Sequence, residues 1–375
     1  MPQAFKGSLS AYDAAQAMVE GVLSVAPDAE AIAMPVADGG DDTLNVLVTS
    51  TKGQLFEADV LGPRLEPVRA GWGVLGDGET AVIEMASASG IRLLPVDQRD
   101  PRVTTTYGTG QLILAALDAG YRRILVGVGG SATVDIGTGA ATALGARFLD
   151  QRGDQLREGG AALVDLAEID LSGMDARLGE ASISVACDVD MTLCGPMGAS
   201  VFSPQKGASP EVVAELERAI GHVAGVVEAQ LGVRIADLPK GGPAGGLSAG
   251  LHAFMGAELE LGAHLVLRTI DATSRIPEAG LVIVGEGMMD RTTFKGKGPS
   301  VVASQAMRAG VPVIAVVGRT GPGIEEATSW GIRHVEQLVD HADLETAAES
   351  QAREIVPRAT AAALRRYLGQ APPTV

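Results

Sequence analysis

The sequence predicts an α/β protein in which one doubly wound, parallel-sheet domain is interrupted by a second, inserted mixed α/β domain. Three observations predict it. Strand-then-helix units occupy both ends of the chain, the pattern of a parallel sheet built by crossovers. Between them, from Gln54, apolar and polar residues alternate around Gly-Pro and Asp-Gly turns, as in antiparallel strands. The composition is 46% hydrophobic but only 3% aromatic, with 49 glycines, so alanine, valine and leucine do the packing and tight turns are many. A chain of 375 residues is long enough for about two domains.

The elements follow in order. "SAYDAAQAMVEGVLSVAP" (10–27) has helical spacing, with Ser10 as N-cap and Pro27 as a stop. "AIAMPV" (31–36) reads as a short strand and "TLNVLVTST" (43–51) as a helix. Residues 53–87 read as a meander of about three strands. A helix at 107–120, a strand at 122–130 and a helix after Thr138 come next, then a strand at 181–190 and a long helix from Ser209. The C-terminal part alternates regularly: strand 279–287, helix 299–310, strand 311–318, helix 324–331, strand 334–339 and helix 344–368. These readings place the discontinuous domain at 1–54 and 277–375 and the insert at 55–276. A doubly wound domain needs a strand before its first helix, yet only five residues precede Lys6. Either that strand is lacking or translation starts upstream of Met1, and the second reading is preferred.

Bulk properties exclude several classes. A net charge of −17 repels nucleic acid and anionic membranes. No 18-residue apolar run or signal-peptide core is present, so a cytoplasmic protein is expected. Cys187 and Cys194 fit no common zinc or redox spacing and read as buried free thiols; the five histidines show no metal-ligand pairing. There is no Walker-type phosphate loop, and "GLSAG" (246–250) lacks the strand that a nucleophile elbow needs, so Ser248 reads as a helix-start residue.

The glycine-dense turn "GVGGSATVDIGTG" (127–139) raises two readings. Its first six residues fit the dinucleotide fingerprint, with Asp150 as the ribose-binding acid, which would make an NAD(P)-dependent dehydrogenase. Against this, four loops join glycine, acid and base: "FKGS" (5–8), "ADGGDDT" (37–43), the stretch 188–208 ending in "SPQKGA", and "GEGMMDRTTFKGKGP" (285–299). Carboxylates that hold Mg²⁺ or take a proton, beside lysines that hold phosphate, are the parts of phosphoryl transfer. Hydride transfer leaves them unexplained.

The segments "FKGSLSA", "ADGGDDT", "VIEMASASG", "TTTYGTGQLI", "GVGGSATVDIGTG", "ACDVD", "FSPQKGA" and "GEGMMD" with its following "GKGP" resemble, in this order, the bacterial glycerate kinase family, type 1. The resemblance spans nearly the whole chain. It implies a flavodoxin-like domain with an inserted α/β domain, an active site in the cleft between them, and an ATP- and Mg²⁺-dependent transfer of phosphate to D-glycerate, with 2-phosphoglycerate favoured over 3-phosphoglycerate. ATP and D-glycerate are the implied partners, and a homodimer is an admissible assembly.

On this reading the N–H groups of Gly129, Gly130 and Ser131 and the Thr133 hydroxyl hold a phosphate, helped by a helix N-terminus. Lys6, Lys206 and Lys297 contact phosphate or the glycerate carboxylate, and Gly285 and Gly287 line the same site. Asp38 and Glu286 are the metal candidates. Asp188, Asp190 and Asp290, with Lys6, are the catalytic candidates, because no histidine lies in the four loops and the proton must go to a carboxylate. Four positions depart from the family pattern: Gln3 stands for an acid, Val134 for an asparagine, Ile136 for a glycine and Met288 for an arginine, a loss that Arg291 is placed to make good. Each is expected to remove a polar group or add bulk near ligand, which keeps a non-catalytic glycerate- or nucleotide-binding relic as a third reading.

Overall fold

A computed structural model describes residues 1–5, 7–40, 42–341 and 349–370. The candidate Lys6 therefore lies outside the described residues. The chain divides into two compact units, residues 39–262, and residues 1–38 with 263–375. These limits differ from 54/55 and 276/277 for a packing reason at the first boundary. The helix Thr43–Ser50 lies on the insert's own sheet, where Leu44 and Val48 occupy the space over Gly73.

The larger unit is built on a six-stranded sheet. Its strands are β1 (Gln54–Leu61), β2 (Pro67–Val74), β3 (Thr80–Glu84), β4 (Arg123–Gly127), β7 (Ser182–Cys187) and β8 (Glu258–Leu261), in the order β1-β2-β3-β4-β7-β8. The alternating segment forms the antiparallel β1-β2-β3 meander; β3, β4, β7 and β8 are mutually parallel. A separate antiparallel pair joins β5 (Arg147–Leu149) to β6 (Glu168–Asp170). Trp72, Ile83, Leu112, Ile113, Val126 and Val185 form one core, and Phe148, Leu163, Leu216, Ile220, Val223 and Phe254 a second. The helix Pro210–Leu231 starts where expected, with the Ser209 hydroxyl accepting from the Val212 N–H and Pro210 in the first turn.

The smaller unit carries β9 (Val282–Met289), β10 (Val313–Thr320) and β11 (Ile332–Gln337), all parallel, in the order β11-β10-β9. Residues 1–5 run beside β9: Pro2 bridges Gly285 in parallel fashion, and the Gln3 N–H donates to the Gly285 carbonyl at 2.8 Å. The Met1 amino group donates to the Ile283 carbonyl, and desolvation pulls its pKa down to about 5. "AIAMPV" is not a strand. Only Val36 donates to this edge, to the Pro2 carbonyl at 2.9 Å, and Pro35 has no N–H with which to continue a ladder. The segment expected as an α-helix at 324–331 is a 3-10 helix, Ile324–Trp330, closed at each end by a left-handed glycine. The last helix is described from Glu349 to Gln370; its expected start at 344 falls outside the described residues. No helix among the described residues is long and apolar enough to cross a membrane.

The first and last helices meet at Gly21, where an added Cβ would lie 2.4 Å from the Pro357 carbonyl oxygen and 2.7 Å from Thr360 Cβ. Ser10 caps the first helix through the Asp13 N–H. Gly21→Ala gains up to about 1 kcal/mol of helix propensity but overpacks a backbone atom, which costs about 1–3 kcal/mol. The variant is expected to unfold at lower urea concentration than the wild type. An equal or higher midpoint would show that the two helices are not in close backbone contact.

Candidate active site

In parallel sheets ligands gather beyond the carboxyl ends of the strands. In the larger unit, β4 ends at Gly127 and the chain turns through residues 128–137. Gly129 must be glycine, because a Cβ there would lie 2.3 Å from the Gly40 Cα; its N–H donates to the Gly39 carbonyl at 2.9 Å. The Gly130 carbonyl accepts from Ile91, and the Ala132 N–H donates to Ser89, each at 2.9 Å. Among the described residues this leaves the N–H groups of Gly130, which is exposed with φ +75°, and Ser131 without an acceptor. These two are the open part of the turn. Thr133 is fully buried and its Oγ1 has no hydrogen-bond partner.

Lys206 is turned inward rather than toward solvent. It is 5% exposed, and its Nζ donates to Ser131 Oγ and to the Thr133 carbonyl, both at 2.7 Å. Burial lowers its pKa to about 8, against the opposing pull of Asp135 and Asp188. Asp135 is the matching anion. Its Oδ2 accepts from Thr106 N at 2.7 Å and Thr106 Oγ1 at 2.8 Å, and its Oδ1 from Gly137 N at 3.2 Å. Burial nonetheless raises its pKa. Thr105 Oγ1 donates to Glu158, 2.5 Å away, and burial first, then the Asp135 charge, raises Glu158 to about 7. Asp188, half-buried just past β7, completes this cluster electrostatically; Asp190 is exposed. Cys187 is buried and pushed up to about 12, and Cys194 is half-buried and also raised, so both stay protonated thiols.

The second cluster is in the smaller unit. Glu286 points into the structure from β9, 5% exposed, with Oε1 lacking any hydrogen-bond partner. Desolvation lifts its pKa to about 7, with Thr293 and Lys297 pulling down and Asp38 and Asp290 pushing up. Asp290 is desolvated too, but hydrogen bonds from Thr292, at 2.8 Å from N and 2.6 Å from Oγ1, and the Lys297 charge hold it below the usual range. Gly285 is placed for packing: a Cβ would lie 2.4 Å from Met18 Cε and 2.6 Å from the Val316 carbonyl. Gly287 meets Gly318 of β10, where a Cβ on Gly318 would be 2.3 Å from the Gly287 carbonyl. The structure thus gathers Asp38, Gly285, Glu286, Gly287, Asp290 and Lys297 in one unit. Gly129, Gly130, Ser131, Thr133, Lys206, Asp188 and Asp190 come together in the other.

The glycerate kinase family model matches residues 1–368. The chain belongs to the glycerate kinase family. It is 49% identical to the glycerate kinase of Bacillus subtilis (strain 168), over 84% of this chain and 83% of the relative. It is 46% identical to the glycerate 2-kinase of Escherichia coli (strain K12), over 84% of each. A crystal structure from Salmonella typhimurium LT2, provisionally named glycerate kinase 2, superposes with a TM-score of 0.84 at 41% identity, covering 98% of this chain and 97% of that one.

Two of this glycerate kinase family member's departures face the core rather than ligand. Val134 and Ile136 are fully buried in the apolar cluster with Phe148, Leu193 and Leu216. Gln3 lies against Gly298, at the start of the helix Gly298–Arg308, 3.3 Å from where a Cβ would sit. Arg291 does not stand free to replace the arginine lost at Met288: its Nε is 3.8 Å from Glu326. Sequence reasoning missed Asp135, Glu158 and the threonines 104–106, all three fully buried. Three consecutive threonines ahead of a helix were the available signal.

Glu158 makes stability depend on pH. Its folded pKa of about 7 lies above the ordinary glutamate value of 4.5, so the native state binds more protons than the unfolded chain between those values. Its contribution therefore falls as pH rises from about 4.5 to 7, by on the order of 3 kcal/mol. Glu286 has the same sign and window. The Met1 amino group, lowered to about 5, acts in the opposite sense over pH 5–8, so the test is the difference between wild type and Glu158→Gln. Urea midpoints of the variant should gain on the wild type progressively from pH 5 to 8, and the variant should be the more stable at pH 8. A difference that does not change with pH would mean that Glu158 is not buried beside Asp135.

Proposed function

We propose that the chain transfers the terminal phosphoryl group of ATP, with Mg²⁺, to the 2-hydroxyl of D-glycerate. The observation that carries the chemistry is Glu286, a buried carboxylate with an orphaned oxygen, in electrostatic reach of Asp38, Asp290 and Lys297. Its relatives' names supply the substrate, and that of the Escherichia coli relative favours the 2-position.

The donor set fits Mg²⁺. No group of three or more His, Cys, Asp or Glu among the described residues could hold a metal, and Mg²⁺ needs only one or two carboxylates when substrate phosphates complete its shell. Glu286 and Asp38 would hold it; when bound it neutralises phosphate charge. Lys297, and by its motif Lys6, contact phosphate. In the other unit the free N–H groups of Gly130 and Ser131 bind an anionic group of substrate. Lys206 acts one step back, by fixing Ser131 and Thr133. Asp188 takes the proton of the attacking hydroxyl. Asp290, held ionised by its hydrogen bonds, is a weak base and serves to orient Lys297.

The dehydrogenase reading has less support. Asp150 closes its own turn, Oδ1 accepting from Arg152 N at 2.8 Å and Asp154 N at 3.0 Å, and it follows β5 in the separate two-stranded sheet. The Gly129 N–H, which the fingerprint offers to pyrophosphate, is already bonded to Gly39.

Incubation with ATP, Mg²⁺ and D-glycerate should yield 2-phosphoglycerate by ³¹P and ¹³C NMR. Formation of 3-phosphoglycerate would overturn the regiochemistry, and no phosphorylated product would overturn the kinase reading. Asp188→Asn should lower kcat by about 10²–10⁴-fold while leaving the KM for glycerate within a few-fold. Unchanged turnover would remove Asp188 as the base.

A further inference from the structure

Arg319 of β10 lies opposite Met288 of β9 in parallel register, and Val317 lies opposite Glu286. Residues so paired present their side chains to the same face, on strands about 4.8 Å apart, and positions 286 and 288 share a face by alternation. Arg319 is exposed, and no carboxylate pairs with it among the described residues. Its backbone is nevertheless fixed. Thr320 N and Oγ1 both donate to Gln337 Oε1 at 2.9 Å, and the Gly321 N–H donates to the Met289 carbonyl at 2.9 Å. A cation thus projects from a rigid strand end, on the face that carries the orphaned Glu286 oxygen.

We propose that Arg319 is an anion-binding residue of this site and grips the phosphate chain of the nucleotide. This rests on the kinase reading. Its position opposite Met288 lets it replace the guanidinium missing there, which Arg291, engaged by Glu326, does not supply. A polyphosphate fits better than the glycerate carboxylate. Asp38, Glu286 and Asp290 repel a bare carboxylate, whereas a polyphosphate brings its own cation to satisfy them. The planar guanidinium fork then takes two phosphate oxygens at once.

Isothermal titration of the full chain with MgADP tests this, with D-glycerate titrated separately. Arg319→Ala should weaken MgADP binding about 10–100-fold, the loss expected for charge-assisted hydrogen bonds, with glycerate binding and thermal midpoint unchanged. Arg319→Lys should fall between the two, since it keeps the charge and loses the fork. The double variant R319A/M288R should regain most of the affinity, because position 288 presents a guanidinium to the same face; a merely structural arginine would not be rescued in this way. MgADP affinity equal to wild type in R319A, or loss of glycerate binding instead, overturns the proposal and leaves the kinase reading standing. A wild-type chain that binds no MgADP overturns both.

Discussion

A buried ammonium must be surrounded by oxygens, and Lys206 imposes that requirement on the whole 128–139 segment. The group cannot shed its hydration unless Ser131 Oγ and the Thr133 carbonyl face it, which fixes the turn between them. Asp135 balances the charge from the same turn, and its own satisfaction depends on the N–H and hydroxyl of Thr106 and the N–H groups beyond Ile136. Thr105 then ties Glu158 to the arrangement. A short glycine-rich turn, floppy by composition, is made rigid by a buried ammonium and a buried carboxylate, each held by its own hydrogen bonds. The N–H groups of Gly130 and Ser131 are thereby held in fixed directions by the fold itself.

Much of the fold was legible because it depends on local chemistry. The Ser10 cap, the start of the long helix at Ser209, the period-two meander at 54–84 and the βα alternation after 279 all appear at or near their expected places. "AIAMPV" was not legible as a non-strand, because its apolar run suits a strand and only the pairing geometry shows that Pro35 leaves the ladder unmade. The site was legible as a set of loops but not as a set of directions. A lysine in "SPQKGA" reads as a phosphate contact; that its side chain turns into the core depends on the residues packed around it, which no spacing encodes. Glu158 and Arg319 lie outside every glycine-acid-base loop. What makes each notable is a neighbour distant in sequence, Asp135 for one and Met288 for the other.

Glu286 shows how the smaller unit keeps a buried carboxylate in a parallel strand. Such strands are normally apolar on both faces, and the rest of β9 and β10 conforms with Val282, Val284, Ile314 and Val316. A carboxylate at this depth is tolerated because it comes where the strand is about to leave the sheet, beside the Lys297 charge. Its raised pKa measures how incompletely that neighbour compensates it. A bound cation would supply the rest. The cost of burying Glu286 would then be offset by that cation.

Ile136 shows how the core absorbs a residue that its backbone conformation disfavours. A β-branched residue at φ +54° is strained, by about 1–2 kcal/mol, where a glycine would not be. The side chain is completely buried against Val134, Leu193 and Leu216, and burying an isoleucine contributes about 1.5–3 kcal/mol. The two roughly offset. Gly246 leaves room for the side chain, since a Cβ there would sit 3.2 Å from Ile136 Cγ1, and Gly250 lets the backbone pass, since a Cβ there would lie 1.9 Å from the Ile136 carbonyl oxygen. Throughout, the Ile136 N–H keeps its bond to the Gly245 carbonyl at 3.1 Å. That bond holds the backbone at position 136 while the side chain fills the core.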